Sequence, residues 1–452
     1  MKARVPRFIV AVSAVLIAAP FAHAGKKSAA VPAAGDFVAH EWGTFTSVQA
    51  SDGVQFEWNP FVAPELPKFV YNVTNPTGRA NALVLPGFRV AGKTGITSRQ
   101  RMETPVIYFY SDKERSVDVD VQFPGGRITE WYPQLTNPKA QAAPVVRDAD
   151  GFAGMRANMR WTDVQLRPGA DEAKLYPLDA TGSHYYAARE TDAVPLRVKA
   201  PDGTAQNEKF LFYRGVAEFE APLQIQQYGD NAEMMTLQNR AQKPLGALFL
   251  YAVRGKRAAM VPVTGLKAGE FRQVDFDFEK LARPLAEVRG EIAAKMRAAL
   301  VSGGLYEKEA AAMVRTWDDS WFAESGTRVL YTLPQQWTDG ILPLTITPAP
   351  KEVRRVFVGR AEMITPAMEW TLLREIVRYA DGDDAAKAAA TKAVQAMELG
   401  RFTAPAISRV AQLGPQASAF RNAVSSLLEG VRPAESKPLV KAEQVEAARS
   451  AP

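Results

Sequence analysis

The chain has 452 residues, 47% of them hydrophobic, with no cysteine, three histidines, and 55 Lys and Arg against 49 Asp and Glu. The lack of any thiol excludes disulfides, thiolate metal sites, thiol nucleophiles and a lipid-modified cysteine anchor. Three of the basic residues, Lys2, Arg4 and Arg7, fall in a cleavable leader, which leaves 52 against 49, so bulk charge favours neither nucleic acid nor an anionic membrane as partner.

Residues 1–24 have the three parts of a secretory signal: those three bases, an apolar run over 8–21, and Ala22-His23-Ala24 as a cleavage site. The spacing predicts export to the periplasm or beyond. No later stretch reaches the ~20 consecutive apolar residues of a membrane helix, so no transmembrane segment is expected after cleavage. Residues 25–36, rich in Ala, Pro and Lys, read as a flexible linker.

From 37 to 276 the dominant period is two. It is clearest over 116–123, where Val117, Val119, Val121 and Phe123 alternate with Asp118, Asp120 and Gln122. The runs 105–110, 116–123 and 127–132, separated by short turn signals, predict an antiparallel meander. Further strands are expected over 160–166, 184–189, 209–214, 223–228, 247–253 and 271–276, which together suggest one β-sandwich or two in tandem. Helical period takes over near Pro284: Leu285, Val288, Ile292 and Met296 form one stripe, and Tyr306, Ala310, Met313, Val314, Trp317 and Trp321 a second. Strands return at 328–333, 344–347 and 353–358. Alanine-rich helices then run from 364 to 431, broken at 381–383, 400 and 414–415, and 432–452 reads as a disordered tail. The expected fold is multidomain: mainly β and antiparallel β-sandwich-like over 37–276, α+β over 277–363, and a C-terminal helical bundle or short solenoid over 364–431.

Residues 87–94, GFRVAGKT, match the phosphate-loop pattern G-x-x-x-x-G-K-[ST]. A working loop of that kind opens a helix, whereas the polar, aperiodic residues 95–104 run into Pro105, so the segment reads as a surface turn. No G-x-S-x-G elbow or S-x-x-K occurs. Only His40 and His184 remain after leader cleavage. A histidine-rich zinc site is therefore impossible, and a metal would need these two with distant carboxylates. Hydrogen-bonded structural histidines are the simpler reading, and the sequence identifies no cofactor.

Acidic residues set beside aromatics keep carboxylate chemistry and sugar stacking open. Glu41 adjoins Trp42, Glu130 adjoins Trp131 and Tyr132, and Glu103 precedes Thr104-Pro105. The candidate catalytic set is His40, Glu41, Glu103 and Glu130; the candidate ligand set is Trp42, Trp131 and Tyr132. For each of these aromatics a core position is the plainer alternative.

Several passages resemble a set of uncharacterised exported bacterial proteins that carry HEWGTFTS. They are HEWGTFTS (40–47), RMETPVIYFYS (101–111), TEWYP (129–133), FYRG (212–215), a stretch within 304–334 containing LYEKEAAAMVRTWDDSWF, and LPLTITPAP and VFVGRAEMITP within 342–366. The resemblance covers most of 37–366 and brings no activity or catalytic residue. It implies export and a single unit joining 37–276 to 277–363. The leading expectation is a cell-envelope or periplasmic binding or scaffold protein whose partner is a glycan or an envelope protein. The alternative is an extracytoplasmic hydrolase, either a carboxylate-pair glycosidase or a His/carboxylate metal-dependent enzyme.

Overall fold

The computed structural model describes residues 36–58, 66–72, 98–136, 158–172, 175–179, 184–415 and 417–431. The leader 1–24, the linker except its last residue, the loop 87–94 and the tail 432–452 lie outside the described residues.

In chain order the strands are β1 (Phe37–Gln49), β2 (Tyr71–Asn72), β3 (Gln100–Ser111), β4 (Arg115–Gln122), β5 (Gly126–Tyr132), β6 (Asn158–Leu166), β7 (Leu196–Lys199), β8 (Ala205–Glu208) and β9 (Leu211–Ala217). They continue as β10 (Leu223–Tyr228), β11 (Met234–Asn239), β12 (Leu248–Arg254), β13 (Arg257–Val263), β14 (Phe271–Asp275), β15 (Arg283–Pro284), β16 (Gly326–Thr332), β17 (Leu344–Thr347) and β18 (Glu352–Met363). The α-helices are α1 (Phe278–Leu281), α2 (Leu285–Ser302), α3 (Glu307–Asp318), α4 (Gln335–Ile341), α5 (Pro366–Asp381), α6 (Asp384–Gln395), α7 (Thr403–Leu413) and α8 (Ser418–Val431).

A ten-stranded sheet in the order β15-β13-β12-β16-β18-β1-β3-β9-β5-β2 forms the middle layer. All thirteen residues of β1 are buried, because this strand is covered on both faces, so its polarity does not alternate as that of a half-wet strand must. One face packs on a five-stranded sheet (β17-β4-β6-β7-β8) and a three-stranded sheet (β10-β11-β14). Phe45, Phe109 and Phe357 of the large sheet share that core with Val119, Trp161 and Leu237 of the smaller ones. The other face carries helices. Trp42, Tyr108, Phe212 and Val358 pack with Ile292 and Met296 of α2 and Met313 and Trp317 of α3, which are members of the two stripes read from the sequence.

Three sequence expectations change. The chain is mixed α and β, and β1 pairs parallel with β18, so the sandwich is not purely antiparallel. The meander does not form: β3 and β5 both flank β9 in the large sheet, while β4 crosses to the second sheet and pairs with β6 and β17. Its alternating pattern marks an outer strand with one wet face, whereas β3 and β5 are covered on both sides; short turns permit the crossing as readily as a hairpin. Residues 184–189 form a 3₁₀ turn rather than a strand. In addition, β16 and β18, from the segment read as an α+β region, lie between β12 and β1, so 37–276 and 277–363 share one sheet.

Gly43 is a packing residue. A Cβ there would stand 2.7 Å from the Phe357 ring and 3.1 Å from Pro105 Cα, where β3 bulges around Thr104 at φ 50°. Only hydrogen fits that approach.

The C-terminal helices form a bundle in which α5 touches α6, α7 and α8, unlike a solenoid, where each helix meets only its chain neighbours. Asp383 caps α6 by accepting from Ala386 N at 2.9 Å, which explains the break at 381–383. The bundle seats Leu372, Ile376, Ile407 and Leu427 on Val48, Ala50 and Trp58, so the end of β1 forms part of its core.

Candidate functional site

On the helix-covered face of the large sheet, two apolar clusters are separated by a row of buried charge. Along β1 that face runs from Trp42, in the α2–α3 core, through Thr44 and Thr46 to Val48, in the bundle core. Along β18 it runs from Val358 through Arg360 and Glu362 to Ile364. Arg101 and Glu103 of β3, Arg214 of β9, Glu130 of β5 and Arg328 of β16 continue the row across neighbouring strands, all buried. From above come Arg401, in a 3₁₀ turn at 400–402, and Glu324, at the end of a π turn following α3.

The contacts are specific. Glu103 accepts from Thr46 Oγ1 at 2.8 Å and from Arg401 Nη1 at 3.0 Å, and pairs with Arg101 Nε at 2.9 Å. Glu362 Oε1 accepts from Arg328 Nε at 2.7 Å and Arg360 Nε at 2.5 Å, and Arg360 also donates to Glu324 at 2.6 Å. Glu130 accepts from the Thr129 hydroxyl and sits opposite Arg214 in the β5–β9 register.

Burial opposes ionisation of Glu103, but Arg101, Arg401, Arg360 and Arg214 outweigh it and hold the carboxyl far below the usual carboxylate range. A folded-state value below the unfolded one of about 4.3 means that ionised Glu103 stabilises the fold fully above that pH. The contribution is lost as pH falls toward the folded-state value. Chemical denaturation of the wild type and Glu103→Gln should therefore differ by a constant amount above about pH 5 and converge in acid; a gap that does not narrow below pH 4 sinks the assignment.

The structure separates the predicted catalytic residues. His40 is 2% exposed, and its Nδ1 lies 2.8 Å from Glu309 Oε2. Glu309 also accepts from the Tyr110 hydroxyl at 2.9 Å and Tyr306 N at 2.7 Å, so one carboxylate caps the start of α3 and fixes the imidazole. Burial and then Glu309 push the Tyr306 hydroxyl up to about 12. Glu41, next along β1, faces the opposite layer, where it accepts from the Tyr213 hydroxyl and from Arg355 Nε at 2.5 Å. Glu103 and Glu130 belong to the charge row. His184 is exposed at the start of its 3₁₀ turn. Among the described residues no group of three His, Asp or Glu is placed to hold a metal.

The predicted ligand aromatics are core residues. Trp42 and Trp131 are 0% exposed and Tyr132 4%, and Trp131 Nε1 is already bonded to Gln134 at 2.8 Å. None of the predicted residues lines either of two hollows. One is a cavity of about 230 Å³ between bundle and sheet, bounded by Met363, Met368, Met397, Phe402 and Glu362. The other is a shallower groove of about 640 Å³ beside α2, flanked by the Arg289–Asp318 ion pair.

The reading of the sequence missed Glu309, Arg214, Arg328, Arg360, Glu362 and Arg401. A signal existed for some of them: Arg101-Met102-Glu103 and Arg360-Ala361-Glu362 place opposite charges two residues apart, hence on one face of a strand, inside otherwise apolar runs. The passages that carry the family resemblance supply much of the row and Glu309. No protein-family model and no curated protein matches the chain. Among solved structures, the yeast δ-COP-I μ-homology domain complexed with a Dsl1 WxWxV peptide aligns over 74% of this chain and 98% of its own at 5% identity, with a TM-score of 0.24. A second structure of the yeast δ-COP-I μ-homology domain aligns over the same shares at 8% identity and a TM-score of 0.25.

Proposed function

We propose that this chain is an exported cell-envelope binding or scaffold protein, and that the outward face of α5 docks its ligand, a glycan of the envelope. The observation that carries the reading is Trp370, 67% exposed, where Trp42, Trp58, Trp131, Trp161, Trp317 and Trp321 are all buried. An indole in water presents a flat apolar face suited to stacking on a sugar ring, and tryptophan and arginine dominate binding hot spots. Arg374 stands one turn along, with its side chain 70% exposed, and Val377 follows on the same side. The opposite side of α5 is locked by Leu372 and Ile376 into the bundle core, so the docking face is held rigid before a ligand arrives.

Trp370→Ala should weaken glycan binding by at least about tenfold, the scale of a hot-spot truncation, and leave the melting temperature within a degree or so, since the side chain touches little protein. A glycan array together with a thermal melt checks both. Binding of the variant equal to that of the wild type, or no glycan retained by the wild type, overturns the reading; retention of an envelope protein in place of a glycan would move the ligand to that class. No observation among the described residues favours the hydrolase reading. Its carboxylates are neutralised by arginines or split between two faces, and a working pair needs one concave pocket.

A further inference from the structure

The charge row does not balance. Among the described residues it holds five guanidiniums, Arg101, Arg214, Arg328, Arg360 and Arg401, against four carboxylates, Glu103, Glu130, Glu324 and Glu362. Arginine does not shed its charge at neutral pH, so these five guanidiniums stay cationic. Burial, with Arg214 and Arg401 adding to it, overcomes Glu103 and pulls Arg101 down only to about 10, which leaves it protonated.

The surplus concentrates at one place. Arg214 is 8% exposed, and its Nε is sealed from solvent without an acceptor. No hydrogen bond or ion pair joins any of its nitrogens to another described residue. Its cation sits 5.9 Å from the Phe212 ring, and Glu130, Glu103 and Arg401 act on it through charge. Arg101 is its neighbour across the β3–β9 pairing, where Arg101 stands opposite Val216, one pleat along from Arg214 on the same face. Arg101 Nη1 also lacks an acceptor, and so does Arg360 Nη1. A buried unmet donor costs about 1–3 kcal/mol, more when charged, and adjacent like charges add to that cost. The costs at Arg214 and Arg101 are offset if an oxyanion sits between their forks, since guanidinium presents paired donors to carboxylate, phosphate or sulfate.

We infer that Arg214 and Arg101, beneath Arg401, form a binding site for one small oxyanion group, which would complete the charge balance of the row. The site is separate from the α5 surface and does not depend on it.

Titration calorimetry and thermal melts of the full chain at constant ionic strength in chloride test it, with inorganic phosphate, sulfate and acetate added separately. The expected result is saturable one-site binding of at least one anion and a rise in melting temperature that tracks occupancy. Phosphate or sulfate alone would identify a tetrahedral group, and acetate alone a carboxylate. Arg214→Gln should bind at least about tenfold more weakly. If Arg214→Gln does not fold, Arg214→Lys decides the same comparison, because it keeps the charge and loses the fork. No saturable binding of any of the three by the wild type overturns the inference, as does a folded variant that binds like the wild type.

Discussion

Glu362→Ala is expected to remove about 3–5 kcal/mol of stability, the cost of leaving a buried charge without its partner. Glu362 is the shared counterion of Arg328 and Arg360, both 0% exposed. Without it, Arg360 keeps Glu324, but Arg328 keeps only neutral acceptors, the carbonyls of Trp321 and Ser325 at 3.0 Å. Denaturant titration reads the loss directly. The companion measurement is the double variant Glu362→Met with Arg328→Met, which removes both charges and fills the space with apolar atoms. It should lose much less than Glu362→Ala, since a buried pair offsets mainly its own desolvation. Equal losses would mean that the row stabilises through packing rather than through charge compensation.

Trp42→Ala should cost a similar amount, about 3–5 kcal/mol, as a large core side chain replaced by a cavity. Trp42 lies on β1 under α2 and α3, its ring centroid 6.2 Å from that of Tyr108. Of the two readings the sequence allowed for Trp42, ligand contact or core, this is the consequence of the core position. The fraction of Trp42→Ala that folds should bind ligand as the wild type does, while Trp370→Ala should do the opposite, melting normally and binding weakly. A Trp42→Ala protein of wild-type stability and impaired binding would overturn both assignments together.

How far the sequence carries can be seen element by element. β4 announced itself because one of its faces is wet, so its polarity alternates. α2 and α3 were legible for the same reason at helical period: each is covered on one side by the sheet. β1 and β3 gave no such pattern, since sheet packs on one side and helices on the other. The misplaced meander follows from the same cause, because turns fix where a chain reverses but not which sheet receives the next strand. The site was less legible still. His40, Glu41 and Trp42 stand side by side as candidate site residues, yet adjacent strand residues point into different layers, and the partners of the first two, Glu309 for His40 and Arg355 for Glu41, lie 269 and 314 residues away.

The sequence by itself determined local period, the breaks between the C-terminal helices and the absence of thiol chemistry, and it carries the expectation of export. These depend on neighbours along the chain, and single-residue chemistry is enough to read them. Only the tertiary structure decided that β16 and β18 lie between β12 and β1 within the large sheet, that the bundle rests on the end of β1, and that charges from Arg101 to Arg401 meet in one buried row. Those outcomes depend on which faces are covered. Coverage is a property of layers assembled from distant segments, and a carboxylate's partner in such a layer leaves no local trace.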